Sequence, residues 1–553
     1  MTAHDRSNCS IVRGHRPRLQ LLGYLLFWPK PKCLYVVHPL MKKFVLLSLL
    51  LIAGLWINVF AQPQSASLDE TQRITHLLNR IGFGPRPGDI ERVRKIGIDK
   101  YIDQQLHPEL IDDSATDIRL EPFASIHMTL AEIFEHYEEP QAILQRLNGQ
   151  APANVDQAAS RQQVQAYMQQ MGIAPPQKLA QELAAQKLVR AVSSERQLQE
   201  LLTDFWYNHF NIFIGKGVDR FVTTDFEMNA IRPHVLGKFK DLLMATAKSP
   251  AMMFYLDNVL STAPDPRLAA ALPQRGANNQ RQPGINENYA RELMELHTLG
   301  VDGGYTQKDV QEVARAFTGW SIAQAPDTNP LTQIQRQASR LGLGTQPGGR
   351  GEFMFRPFVH DTGAKTVLGH TIQAGGGIED GEQVLDILAH HSSTARFIAT
   401  KLVRRFVSDT PPQALVDRVS QSYMKTDGDI REMMRVILTS PEFTAPEAYQ
   451  AKTKSPLELV VSAIRALDGR TDGSSQLVQT LERMGQPLYR FEAPTGFPDR
   501  ASYWMNNGVL VERINFGIAL TANRIPGTRV DLKGYSNPQS GALYLGSPEF
   551  QKR

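Results

Sequence analysis

The segment from Asn286 to Gly300, NENYARELMELHTLG, holds two carboxylates three residues apart, Glu292 and Glu295, beside Arg291 and Asn288. On an α-helix Asn288, Glu292 and Glu295 share one stripe, at i, i+4 and i+7. Two carboxylates on one stripe can act as a general acid and base, or bind a hard divalent cation. The same residues also spell an ion-pair ladder, because Glu287, Arg291 and Glu295 alternate in sign at i, i+4 intervals. A second polar group, His209, lies within the aromatic run FWYNHFNIF beside Trp206. It could ligate a metal or accept a proton, or it could be the polar handle of a buried helix end. A third element, His360-Asp361-Thr362-Gly363-Ala364-Lys365, pairs two metal-competent side chains with a lysine able to hold an anion, and reads equally well as an Asp-capped turn.

Several chemistries are excluded. No His-x-x-x-His exists in the carboxylate segment, no G-x-G-x-x-G or G-x-S-x-G occurs, and Gly215-Lys216-Gly217 lacks the spacing of a phosphate loop. Asp427-Gly428-Asp429 reads as a helix cap, since the twelve-residue calcium pattern is missing. His390-His391 suits the dipole at a helix end. Trp504, beside a Pro/Gly turn, reads as a packing anchor that could also stack on a sugar.

The elements that must position these residues are helical. Ile74, Leu77, Leu78 and Ile81 recur at helical spacing, and Asp89 caps a following helix. A block from Leu183 to Asn211 and another at 231–247 come next. Thr306 opens a capping box with Asp309 ahead of Val310, Val313, Ala314 and Phe317. Helices are expected at 380–390, 393–407, 413–424, 429–439 and 455–467, with β alternation confined to a hairpin at 353–372. The fold class expected is all-α, a large multi-helix domain with at most a small β-hairpin. The organisation expected is an N-terminal helical part at 62–147, a Gln-rich insert or linker at 148–180, and a central helical part at 181–324. A flexible loop at 325–351, a C-terminal helical part at 352–525 and a tail at 526–553 complete it.

Met41-Lys42-Lys43, the apolar run Phe44 to Ile57 and Val59-Phe60-Ala61 have the layout of a secretory signal peptide at 41–61, with cleavage near Ala61/Gln62. The apolar run is shorter than the ~20 residues a spanning helix needs. Residues 1–40 read as a non-native upstream extension ahead of a start at Met41. Eight Lys/Arg and one Asp lie in residues 1–61, so the formal net charge of +4 becomes −3 for the remainder, with 52 basic against 55 acidic residues. That balance gives no support for a nucleic-acid surface. Both cysteines, Cys9 and Cys33, also fall in the leader, so thiol catalysis and thiolate metal sites are excluded from the mature chain.

NENYARELMELHTLG followed by GYTQKDVQEVARAFTGW resembles the signature of the domain of unknown function 1800 family. LLNRIGFGPRPGDI, FWYNHFNIF, HVLGKFKDLLMATAKSPAMMFYLDN, HDTGAKTVLG and STARFIATKLVRRFVSD carry the same resemblance, from roughly Arg73 to Ile514. It implies a large, helical, often exported bacterial protein and assigns no activity.

The function expected is that of an exported, periplasmic or secreted hydrolase-type enzyme with a Glu/His cleft. Glu292, Glu295, His209 and Arg291 would be catalytic, Asn288, Lys365 and Trp206 would bind substrate, and His360 and Asp361 would hold a divalent metal as cofactor. The rival is a non-catalytic envelope protein that binds a protein or polysaccharide partner. In both readings the membrane is met only through the signal peptide.

Overall fold

Helix starts obey the capping chemistry of the sequence. Asp69 accepts from the Gln72 N–H while Gln72 reaches back, opening the helix Glu70–Arg80. Thr306 with Asp309 does the same for Gln307–Ala316, and Ser455 with Glu458 for Pro456–Ala466. Asp429 accepts from Glu432 N–H and caps Ile430–Leu438, as its Asp-Gly-Asp context suggested. The computed structural model describes residues 67–148, 157–263, 284–323 and 349–553. The extension read at 1–40, the signal peptide at 41–61 and most of the loop at 325–351 lie outside the described residues.

The fold is all-α. Among the described residues its β content is three short antiparallel pairs rather than one hairpin. Phe353–Phe355 turns back to pair with Trp320–Ile322, and Lys365–Val367 makes its own hairpin with His370–Ile372. Leu368 and Gly369, with φ of 50° and 82°, form the two-residue turn of that hairpin. The third pair joins Arg470–Thr471 to Thr528–Arg529.

The main apolar core runs from Ile74 and Leu77 to Phe550. At its centre the helices Gln177–Ser193 and Pro456–Ala466 are buried on nearly every side. A helix so placed brings polar residues inside, and these are paired. Arg465 donates to the carbonyls of Gly84 and Val192 at 2.8 and 2.9 Å, pinning the N-terminal glycine turn to the centre. Arg80 likewise donates to Phe406 O and Val407 O, both at 3.1 Å, where the helix Ser392–Phe406 leaves its last carbonyls without helical partners.

Three local outcomes differ from expectation. The block expected from Leu183 to Asn211 breaks at Ser194–Arg196 into Gln177–Ser193 and Gln197–His209. The described part of the Gln-rich stretch forms the helix Gln157–Met171, consistent with the high helix propensity of Gln, Ala and Met. The helix expected over Asn286–Gly300 is α-helical only over Glu287–Glu292 and continues as a π-helix, Leu293–Thr298. A second π-helix spans Phe226–Ile231. Each wider turn rotates the residues beyond it about the helix axis, and Arg291 pairs with Glu287 but not with Glu295, while Glu292 and Glu295 stay near enough to repel.

Candidate functional site: a cationic cavity at the end of the Gln197–His209 helix

The aromatic run ends a helix, and its residues divide between core and cavity. Trp206 is wholly buried, donates from Nε1 to Val235 O at 3.2 Å, and packs against Phe210 and Phe239. Asn208 and Asn211 face the segment 490–500 instead. Asn208 pairs with the Phe497 backbone as another strand would, donating to its carbonyl at 2.9 Å and accepting from its N–H at 2.7 Å. Asn211 donates to Phe491 O and Ala493 O at 3.0 and 2.8 Å, and the Tyr255 hydroxyl to Glu492 O at 2.5 Å. Gly496 makes the close approach feasible. Its φ is +66°, and a Cβ there would lie 2.1 Å from Asn208 O.

The segment so held walls a cavity of about 290 Å³. Phe497 and Trp504 give it an aromatic side, their rings 5.6 Å apart. The helix Ser392–Phe406 contributes Lys401, Arg404 and Arg405 to the lining, which share one face at i, i+3 and i+4. Lys401 Nζ lies 2.7 Å from His209 Nδ1, and His209 Nε2 lies 3.0 Å from His297 O. A carbonyl only accepts, so Nε2 carries the proton and Nδ1 presents a lone pair to the lysine. The His297 carbonyl is available because the π-helix ends at Thr298 and leaves it without a helical partner. Burial, with the Lys401 charge next, holds the His209 pKa well below the usual histidine range. Burial and neighbouring Arg404 push Lys401 down to about 8.

Behind the cavity, Glu227 is fully buried and accepts from Gln186 Nε2 at 2.7 Å and from the Tyr489 hydroxyl at 2.8 Å. Lys187 sits 3.1 Å from Glu227 and 3.2 Å from Asp204. Burial opposes its charge, but the two carboxylates outweigh burial and its pKa rises. Arg405 is tied to Glu458 at 2.8 Å, and Lys452 spans Asp409 and Asp499 at 2.7 and 3.1 Å. These ion pairs fix the wall and consume its carboxylates.

The carboxylate segment is placed otherwise. Arg291 pairs with Glu287 at 3.1 Å and donates to Gln307 Oε1 at 3.0 Å, which realises the first rung of the expected ladder. The second rung is lost to the π turn, and Glu295 accepts from the Tyr305 hydroxyl at 3.2 Å. Glu292 is half-buried, has no hydrogen bond or ion pair among the described residues, and is shifted upward by burial and by Glu295. Asn288 donates to Leu256 O at 3.3 Å.

The His360-Asp361 element forms a separate polar knot. His360 Nδ1 donates to Thr318 O at 2.8 Å and Nε2 approaches Asp380 Oδ2 at 3.2 Å, so both ring nitrogens are occupied. Asp361 takes a two-point ion pair from Arg315 at 2.8 and 3.0 Å. Lys365 is buried and donates to Asp380 Oδ2 at 2.6 Å and Gly363 O at 2.9 Å. Among the described residues, no three His, Cys, Asp or Glu side chains are grouped to hold a metal ion. Of the expected site residues, only His209 lines the cavity.

Sequence reasoning missed Lys401, Arg404, Arg500, Asn208 and Asn211. The available signal was Lys401, Arg404 and Arg405 at i, i+3 and i+4 in STARFIATKLVRRFVSD, and two asparagines flanking His209.

Fold and cavity together define a large all-α protein with an aromatic-lined, positively charged pocket. The chain belongs to the family described as protein of unknown function (DUF1800), whose model matches residues 76–551. No curated protein and no solved structure matches it.

Proposed function

We propose that this chain is an exported enzyme of hydrolase type whose active site is the His209–Lys401 cavity. The observation that carries the reading is the 2.7 Å contact between Lys401 Nζ and His209 Nδ1 at a cavity wall. With its pKa near 8, Lys401 has a neutral fraction at physiological pH. A neutral amine can give one N–H to His209 Nδ1 and aim its lone pair at a water in the cavity. It then accepts the water's proton as the hydroxide attacks, and returns that proton to the leaving group. His209 does not change protonation state in this scheme. It fixes the direction of the amine, as a positioning residue.

The experiment is hydrolysis of a panel of chromogenic esters, phosphate and sulfate monoesters and glycosides by the purified chain. Turnover lost in Lys401→Met, with fold and thermal stability kept, is the expected result. No turnover of any member overturns the reading. Export rests on the n-region and apolar run before Gln62. Its test is N-terminal sequencing of the protein from the periplasm and medium, with an uncleaved cytoplasmic chain as the contrary result.

A second reading, a non-catalytic envelope protein that holds a polysaccharide, draws support from one observation. Partly exposed Tyr503 packs edge-on to Trp504 at 4.7 Å, continuing the row of rings from Phe497. Saturable oligosaccharide binding without turnover, weakened by Tyr503→Ala, would favour it.

A further inference from the structure

The cavity carries more positive charge than its own carboxylates neutralise. Five cationic side chains line it, against the carboxylates of Asp204 and Asp499. Lys187 and Arg405 are paired with Asp204 and Glu458, and Asp499 is taken by Lys452 at 3.1 Å. Arg404 and Arg500 are left over. Among the described residues, neither guanidinium has an ion pair or a hydrogen-bond acceptor, and Arg404 Nε is buried without any partner. The two arginines also disfavour one another. Burial lowers the Arg404 pKa first and Arg500 next, and Asp499 and Asp409 offset only part of this. Lys401, one turn before Arg404, feels the same repulsion.

Lys401, Arg404 and Arg500 line the cavity with no direct ion pair among the described residues, which costs free energy in the empty protein and is recovered when an anion enters. A planar guanidinium offers a fork of N–H donors matched to carboxylate, phosphate or sulfate oxygens. Phe497 and Trp504 line the same cavity and suit an apolar or ring-bearing body. We infer that the ligand of this cavity is an organic anion whose charged group is held by Arg404 and Arg500, with its body against Phe497 and Trp504. The inference rests on the proposal that this cavity is the substrate site, and it supplies the substrate class. The charged group anchors the molecule within reach of Lys401, and the arginines contact substrate without transferring a proton.

The test uses the full chain and a non-hydrolysable matched pair, phenylphosphonate and benzyl alcohol, titrated calorimetrically beside inorganic phosphate. The expected result is saturable binding of phenylphosphonate, weaker binding of phosphate for lack of the ring, and none of the neutral alcohol. Affinity should fall about tenfold between low and high salt, and at least about tenfold in Arg404→Gln/Arg500→Gln. Thermal melting of the double variant checks that it folds, and the single Arg500→Gln change, at an exposed position, serves if it does not. Equal binding of the neutral alcohol, or unchanged affinity in the arginine variants, overturns the inference. Its failure separates from that of the hydrolase reading. Phenylphosphonate binding without turnover of any substrate removes the enzyme and keeps the anion site. Turnover of neutral substrates as fast as anionic ones removes the anion site and keeps the enzyme.

Discussion

Lys401 Nζ donates to His209 Nδ1 across 2.7 Å, joining residues 192 positions apart. The ring stays neutral and its far nitrogen is spent on His297 O, so the lysine faces a fixed acceptor. Burial first and Arg404 next disfavour its charge, and Asp499 favours it. Activity that needs the neutral amine therefore rises with pH through about 8. Lys401→Met should abolish that limb and lower kcat/KM by about 10²–10³-fold. Stability moves in the same direction as pH rises. Between about 8 and the ordinary value of 10.5, the unfolded chain holds a proton that the folded chain has released. Folding thus becomes more favourable across that window, and the methionine variant should show less of this slope. Urea titrations at pH 7 and 10 check the second point, and a pH–rate profile the first.

Gly496 is the hinge of the cavity wall. Alanine there must accept a φ of +66° and place a methyl group 2.1 Å from Asn208 O. The segment has to move, and both Asn208–Phe497 hydrogen bonds go with it. Gly496→Ala should cost about 2–4 kcal/mol, from left-handed strain and the lost pair. It should also open 490–500 to protease and weaken binding in the cavity. Thermal melting with limited proteolysis measures both, and a variant as stable and protease-resistant as the parent would refute the clamp.

The fold was largely legible because caps and apolar periodicity are local. Thr306 with Asp309 and Asp429 were read as caps and are caps. The helices expected at 393–407, 413–424 and 455–467 appear as Ser392–Phe406, Gln413–Lys425 and Pro456–Ala466. The site was legible only in part. A period of 3.6 put Glu292 and Glu295 on one face with Asn288, and a π turn has no signature in that period. His209 stood out as a polar residue among rings. Lys401 did not, since a lysine on an amphipathic helix reads as a solvated face until its partner is known. Asn208 meets Phe497 across 289 positions, a pairing that spacing cannot reveal.

Lys365 is the centre of the knot that the sequence offered as a metal and anion site. Its ammonium is shared by Asp380 and two backbone carbonyls, with His360 on the same carboxylate oxygen. Removing one partner leaves a buried charge uncompensated, so Lys365→Met should destabilise by about 3–5 kcal/mol. With both His360 nitrogens occupied, chelator treatment should leave the melting temperature unchanged. A chelator-induced drop restored by a divalent metal would return His360 and Asp361 to the role of ligands.

His76 and His297 predict how the protein fails in acid. Burial, with Arg80 next, lowers the His76 pKa from 6.5 to about 3, and burial with Lys401 lowers that of His297 to about 3. Neither His76 ring nitrogen has a good hydrogen-bond partner, and its ring packs 4.8 Å from Phe443. Below pH 6.5 the unfolded chain binds a proton at each ring that the folded chain refuses, so stability falls as pH drops toward 3. Each histidine can remove roughly 3–5 kcal/mol by the bottom of that window. His76→Leu keeps the apolar packing and deletes one of these terms. It should be close to neutral at pH 7 and more stable than the parent at pH 4.5, while exposed His136→Gln should change neither. Urea unfolding of the three proteins at both pH values decides it, since a parent and His76→Leu that lose stability in parallel would place the acid-sensitive groups elsewhere.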